Sequence, residues 1–175
     1  MTQKHYEGLV ISVETQIATL PNGTSGTFEI VRHPGGAAVV AMDDQHRICL
    51  LRQYRVVAQD WLWELPAGKL EPPEAPLRTA QRELEEEAGI IAASWQLLAP
   101  VFSSPGVFDE VIYLYLARDL QRVPTAHEVH ELIEVHWIGL DELRRWIAEG
   151  KIRDGKTLSG LCLAMNLPDL DQFKS

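Results

Sequence analysis

Cysteine is almost missing from this 175-residue chain, with Cys49 and Cys162 the only two. Both stand in apolar surroundings, RICLL and LCLAM, which predicts buried, reduced thiols and excludes a disulfide-stapled scaffold. A thiol catalyst is not expected either. Long hydrophobic runs are absent as well: nothing approaches the roughly 20 apolar residues of a membrane-crossing helix. The N-terminus, MTQKHYEGLV, lacks the apolar core of a signal peptide, so the expected location is the cytoplasm. Basic residues are scarce, 16 Lys and Arg against 25 Asp and Glu, a formal charge of −9. Unspecific grip on nucleic acid needs a basic face, so that class of partner is excluded, whereas a phosphate-bearing ligand is compatible if metal ions supply positive charge. There is no internal repeat and no low-complexity segment. The composition that remains, 46% hydrophobic, suffices for one domain with a proper core.

Along the chain, residues 1–36 are expected to form a small antiparallel unit. They carry two or three strand-like stretches, among them VISVETQIAT and GTFEIVRH, split by a turn at Pro21-Asn22-Gly23. Residues 37–175 are expected to form the main domain. It opens with AAVVAM, a run of buried-strand type, turns at Asp43-Asp44 and continues as RICLLRQYR, the expected hairpin partner. WLWELPAG then leads to a helix, and IIAASWQLLAPVF, EVIYLYLARDL and ELIEVHWIGL supply further strands. Two late helices are expected, one capped by Asp141 and ended by Gly150, the other over residues 158–165. Strands before and after a central helix, with more helices at the end, predict an α/β/α sandwich. Of Trp61 and Trp63, one should enter the core and the other lie at a subunit boundary.

The stretch GKLEPPEAPLRTAQRELEEEAGI, residues 68–90, carries the chemistry. Glu83, Glu86 and Glu87 stand at i, i+3 and i+4, positions that share one helix face. Like charges at these spacings repel by a few tenths of a kcal/mol per pair, so the triplet weakens its helix unless a cation sits among the carboxylates. Magnesium is the natural occupant, a hard ion that takes carboxylate oxygens and shares its shell with substrate phosphates; manganese suits the same ligands. Pro76 fits the first helical turn and Gly89 its end. Leu77, Ala80, Leu84 and Ala88 form a stripe able to bury against a sheet. Gly68 is expected to supply a turn closed to residues with a Cβ.

Gly68, Glu74, Arg82, Glu83, Glu86, Glu87 and Gly89, with Leu84 and Ile90, fit the pattern G-x5-E-x7-R-E-U-x-E-E-x-G-U, where U is a bulky aliphatic residue. The chain therefore resembles a Nudix hydrolase. Ser104-Pro105-Gly106 followed by Glu110, the Gln53-Tyr54-Arg55 segment, ELPAG and ELIEV resemble the ADP-ribose pyrophosphatase subgroup. The resemblance implies a mixed central sheet with the motif as a loop and helix beside it. It also implies hydrolysis of the diphosphate bond of a nucleoside diphosphate sugar, ADP-ribose to AMP and ribose 5-phosphate, with GDP-mannose or another sugar nucleotide as the alternative and a non-catalytic nucleotide-sugar-binding regulator as a third reading. By the same resemblance Glu83, Glu87, Glu86 and the Ala67 carbonyl are metal ligands, and Arg82 pairs with Glu74. Arg55 binds a phosphate, Phe28 and Glu29 meet adenine, and Glu110 takes the terminal ribose hydroxyls. The N-terminal strands would build a homodimer whose chains share the adenine sites. The general base of the subgroup often lies in an acidic loop ahead of a late strand. Aligning ELIEV puts Glu131 on the second acid of that loop and Val129 on the first, a departure that leaves Glu128, Glu86 and Glu110 as candidates, in that order.

Overall fold

The computed structural model describes residues 2–125 and 132–168. Three antiparallel strands open the chain, β1 (Thr2–Glu7), β2 (Ser12–Thr19) and β3 (Ser25–Arg32), paired in that order as a sheet of their own. The turn between β2 and β3 falls at the expected place, with Gly23 at φ +84° donating its N–H to the Leu20 carbonyl.

After Gly35 come β4 (Gly36–Ala41), β5 (Arg47–Arg55), β6 (Asp60–Glu64) and β7 (Ala67–Lys69). Helix α1 (Pro76–Ala88) follows, then the long strands β8 (Ile90–Phe102) and β9 (Val111–Arg122), β10 (Ile133–Gly139), α2 (Leu140–Ala148) and α3 (Gly155–Met165). The main body is a mixed α/β fold with two further sheets, ordered β7-β4-β9-β8 and β10-β5-β6. β4 and β9 run parallel and the other pairings are antiparallel.

The expected hairpin of β4 and β5 is not what forms. The chain does turn at Asp43, whose carboxylate accepts from the backbone N–H groups of Gln45 and Arg47, but only the single bridge Met42–Ile48 joins the two strands. β4 departs to pair with β9 and β5 to pair with β10 and β6. Both strands are apolar runs buried on two faces, so their pattern carries no information about which neighbour each will take.

Two apolar layers result. Ala38, Val40 and Met42 face a core shared with Leu143, Trp146 and Leu161 of α2 and α3. Ala37, Val39 and Ala41 face a second core with Ala80, Leu84 and Ala88 of α1. Helices thus cover both faces of the sheet, as a sandwich requires. Trp63 packs on Trp146 with ring centroids 4.8 Å apart, while Trp61 lies under the Arg52 guanidinium, 4.9 Å from its centroid. Cys49 is fully buried, but Cys162 is exposed on α3, because that helix buries Leu161 and Ala164 and turns Cys162 outward. No helix among the described residues is long and apolar enough to cross a membrane.

Candidate active site

Helix α1 is built as its sequence directs. Pro76 occupies its first turn, and Gly89, at φ +64°, closes it with an N–H to the carbonyls of Leu84 and Glu85. Burying Ala80, Leu84 and Ala88 against the sheet fixes its rotation. Glu83, Glu86 and Glu87 then line one pocket of about 250 Å³ together with Gln53, Arg55, Ala67, Gly68, Lys69, Glu71 and Arg82.

The three glutamates sit in different environments. Glu87 is only 5% exposed, and its Oε2 accepts a hydrogen bond from the Ala67 N–H at 2.9 Å. Glu83 lies 2.7 Å from Arg82 Nη1, and Glu86, the most exposed of the three, lies 3.1 Å from the same nitrogen. Arg82 also reaches Glu74 at 3.3 Å, tying the helix to the loop before it. Burial works against the Arg82 charge, but its hydrogen bond to Glu74 and the charge of Glu83 outweigh it, and its pKa is raised. Gly68 proves necessary for a reason other than the expected turn: a Cβ there would stand 1.8 Å from Glu83 Oε1. The missing side chain is the space in which Glu83 lies.

Arg55, Ala67, Gly68 and Lys69 line this pocket and also a larger cavity of about 530 Å³. His33, Ser103 and Glu110 line that cavity, as do Asp154, Lys156 and Ser159. Glu110 Oε1 lies 3.1 Å from His33 Nδ1. The loop carrying Glu110 is docked on β3: Asp109 meets Arg32 at 3.0 Å and accepts from the His33 N–H, and Val31 and Phe108 form a bridge.

Behind the cavity floor lies a group that motif reading misses. Glu64, 2% exposed, takes two hydrogen bonds of 2.8 Å from Arg55, one from Nε and one from Nη2. Its Oε2 also accepts from Lys156 Nζ at 2.5 Å. Burial alone would push the Glu64 carboxyl up; the Arg55 hydrogen bonds and the Lys156 charge reverse that and hold it at about 2. Lys156 donates also to Asp154 Oδ2 at 3.0 Å, and that carboxylate caps α3 through Thr157. Two sequence signals point here: a glutamate ending the apolar run WLWEL, and an aspartate three residues before a helical threonine. Neither says that the two segments meet. Gln53, which no motif marks by itself, is buried and lines the glutamate pocket.

The structure therefore gathers Arg55, Ala67, Arg82, Glu83, Glu86 and Glu87 around one pocket and puts Glu110 in the adjoining cavity. Phe28 and Glu29 lie exposed on β3, outside both. Glu128 and Glu131 fall outside the described residues. Among the described residues no group of three His, Cys, Asp or Glu side chains stands assembled as a metal cage, and the Arg82 guanidinium holds Glu83 and Glu86. The donors nonetheless fit a hard divalent ion, being carboxylate oxygens gathered in excess of the positive charge among them.

A mixed α/β sandwich with clustered glutamates on the helix beside its sheet defines a Nudix pyrophosphohydrolase. The NUDIX domain family matches residues 32–160, and the chain belongs to it; the family typically depends on a divalent metal. Among its relatives, the methanol dehydrogenase activator of Bacillus methanolicus is 38% identical over 159 residues, covering 90% of this chain and 86% of that protein. An ADP-ribose pyrophosphatase of Bacillus subtilis is 36% identical over 154 residues, covering 87% and 83%. A solved structure of an ADP compounds hydrolase superposes with a TM-score of 0.79 at 21% identity, over 94% of this chain and 89% of that one, a likeness of fold.

Proposed function

We propose that the chain hydrolyses the diphosphate bond of a nucleoside diphosphate sugar with magnesium, manganese serving in its place, and that ADP-ribose is the substrate, giving AMP and ribose 5-phosphate. One observation carries this reading: the glutamate pocket opens, through Arg55, Ala67, Gly68 and Lys69, into a cavity of about 530 Å³. That volume suits a small-molecule ligand, and the junction between pocket and cavity suits a diphosphate. The ADP-ribose pyrophosphatase relative supports the choice of nucleotide.

Glu83, Glu86 and Glu87, with the Ala67 carbonyl, would hold the metal, which when bound supplies positive charge to the phosphate oxygens and lowers the pKa of water. The residues of the chain divide the remaining work. Arg55 stands at the junction, fixed by Glu64 along one edge of its guanidinium, with Nη1 left out of that pair and available to a phosphate oxygen. Arg82 draws Glu74, Glu83 and Glu86 together. Glu86 takes the proton of the attacking water at a carboxylate oxygen; Glu110 lies in the other cavity and serves the sugar. Glu128, which the resemblance ranks ahead of Glu86, lies outside the described residues and is the other candidate for the base; the pH profiles of Glu86→Gln and Glu128→Gln separate the two, since loss of the true base removes the acidic limb. Phe28 and Glu29 act across a homodimer in this reading, supported by the exposed Tyr6, Leu9, Ile17 and Phe28 of the N-terminal region. The whole protein is proposed to be cytoplasmic.

A second reading keeps the reaction and changes the diphosphate, for instance to GDP-mannose. It is supported by a relative named GDP-mannose pyrophosphatase, from Klebsiella pneumoniae, 32% identical over 154 residues and covering 77% of this chain. The test is a panel of ADP-ribose, GDP-mannose, UDP-glucose, NADH and diadenosine polyphosphates with magnesium. Fast release of AMP from ADP-ribose, lost in Glu87→Gln, is expected. Preference for another diphosphate selects the second reading, and absence of turnover overturns both.

A further inference from the structure

The network Arg55–Glu64–Lys156–Asp154 alternates in charge, each member hydrogen-bonded to the next. Arg55 lines both the glutamate pocket and the larger cavity, whereas Asp154 and Lys156 line the larger cavity alone. A ligand whose phosphate meets Arg55 and whose remainder lies in the larger cavity thus passes from a cation to a paired ammonium and carboxylate.

The hydrogen bonds within that pair are unevenly used. Asp154 Oδ2 accepts from Lys156 Nζ, Thr157 N and Thr157 Oγ1, while Oδ1 accepts none among the described residues. Lys156 Nζ has three protons and spends two, on Glu64 and Asp154. One acceptor and one donor therefore remain on adjacent groups that line the cavity. Neither is free to turn away. Asp154 is fixed as the cap of α3, and Thr157, fully buried, accepts from the Leu65 N–H at 2.9 Å while donating to Asp154. Lys156 is clamped between two carboxylates, its side chain 14% exposed.

A second phosphate is poorly matched here, since Asp154 would repel it and the Lys156 charge is already shared by two carboxylates. Neighbouring hydroxyl groups are well matched, each able to accept from an ammonium and donate to a carboxylate oxygen. Resting on the pyrophosphohydrolase reading above, we propose that Asp154 and Lys156 form the specificity wall for the sugar of the substrate, contacting vicinal hydroxyls in the cavity that Glu110 also lines. Selectivity among diphosphates then comes in part from the C-terminal helix.

The variant Asp154→Asn tests this cleanly, because asparagine caps helices as well as aspartate does but replaces the spare acceptor by a donor. The quantity to measure is the ratio of kcat/KM for ADP-ribose to kcat/KM for the pentyl ester of ADP, which offers the same diphosphate and no sugar hydroxyls. The wild type should favour ADP-ribose by about 100-fold or more, and Asp154→Asn should lower that ratio by about tenfold or more. A change that merely loosened the fold would lower both rates and leave the ratio in place; a ratio within about twofold of wild type overturns the proposal. Should that variant fail to fold, Lys156→Gln is read by the same ratio and the same limits. If the wild-type protein cleaves neither ester, ADP-ribose falls as the substrate. Calorimetry of ribose 5-phosphate against pentyl phosphate then decides the sugar wall: a wild-type preference lost in Asp154→Asn supports it, and no preference, or an unchanged one, overturns it.

Discussion

On α1, Glu83, Glu86 and Glu87 come from little more than one helical turn, and Arg82 from the same turn is shared among Glu74, Glu83 and Glu86. At the foot of α3, Arg55, Glu64, Lys156 and Asp154 come from distant elements, with Glu64 and Lys156 separated by 92 positions. The first group has negative charge in excess and the second is balanced. An excess stays costly until a cation arrives, and so marks a place kept ready for one. A balanced, buried network needs nothing from outside and holds its members in one geometry. The two meet at Arg55, so a group that recruits charge and a group that fixes shape share one guanidinium.

The comparison is broken most severely on the α1 side. Glu83→Gln or Glu87→Gln should lower kcat by more than about 100-fold, above the range usual for groups that only support metal ligands. Glu85→Gln, exposed on another face of the same helix, should stay within about twofold. Chelation should abolish turnover in the wild type and magnesium restore it. Gly68→Ala comes next: its Cβ collides with Glu83, and displacing that carboxylate should lower kcat by about 10- to 100-fold, with thermal unfolding showing that the fold survives.

On the balanced side the large effect is on stability. Glu64→Gln leaves two cations facing a neutral amide and should cost about 3 kcal/mol by urea unfolding at neutral pH. The Glu64 carboxyl is held at about 2 against an ordinary 4.5, a lowered pKa. Its contribution is therefore present in full above pH 4.5 and lost as pH falls from there through about 2. The stability gap between wild type and Glu64→Gln should close over that window and stay constant above it; a gap that narrowed near neutrality would place the stabilisation elsewhere. The smallest effect concerns the thiols. Burial, with the nearby Glu87 charge, pushes the Cys49 thiol up to about 12, while Cys162 is exposed. A thiol reagent should label Cys162 in the native protein and Cys49 only after unfolding, and Cys162→Ser should leave activity unchanged.

Much of the α1 region was legible in the sequence because its information is local. The proline, the terminal glycine, the apolar stripe and the three glutamates all lie within one window, and helical periodicity converts spacing into a shared face. The antiparallel N-terminal strands could be read for the same reason, their turn being written between them. What escaped is non-local. The partners of β4 and β5 depend on strands far along the chain, and an apolar strand buried on both sides has no polar face to betray its neighbour. Nothing in the sequence around Lys156 marks it as the partner of Glu64, 92 positions away. Gly68 was read as a turn, whereas its role is set by the side chain that fills its place. Cys162 was misjudged because apolar neighbours in sequence need not be neighbours on a helix surface.

Strand β4 carries one further consequence. Its odd-numbered residues face the core under α1 and its even-numbered residues the core under α3. A slip of one residue along β9 would exchange the two sets and present each core with the side chains cut for the other. Only alanines and valines follow Gly36 in the strand, so no long side chain could reach across to repair the error. The reading frame of these six residues therefore sets the two sides of the candidate site at once, and an inserted or deleted residue in β4 would move α1 and α3 out of step together.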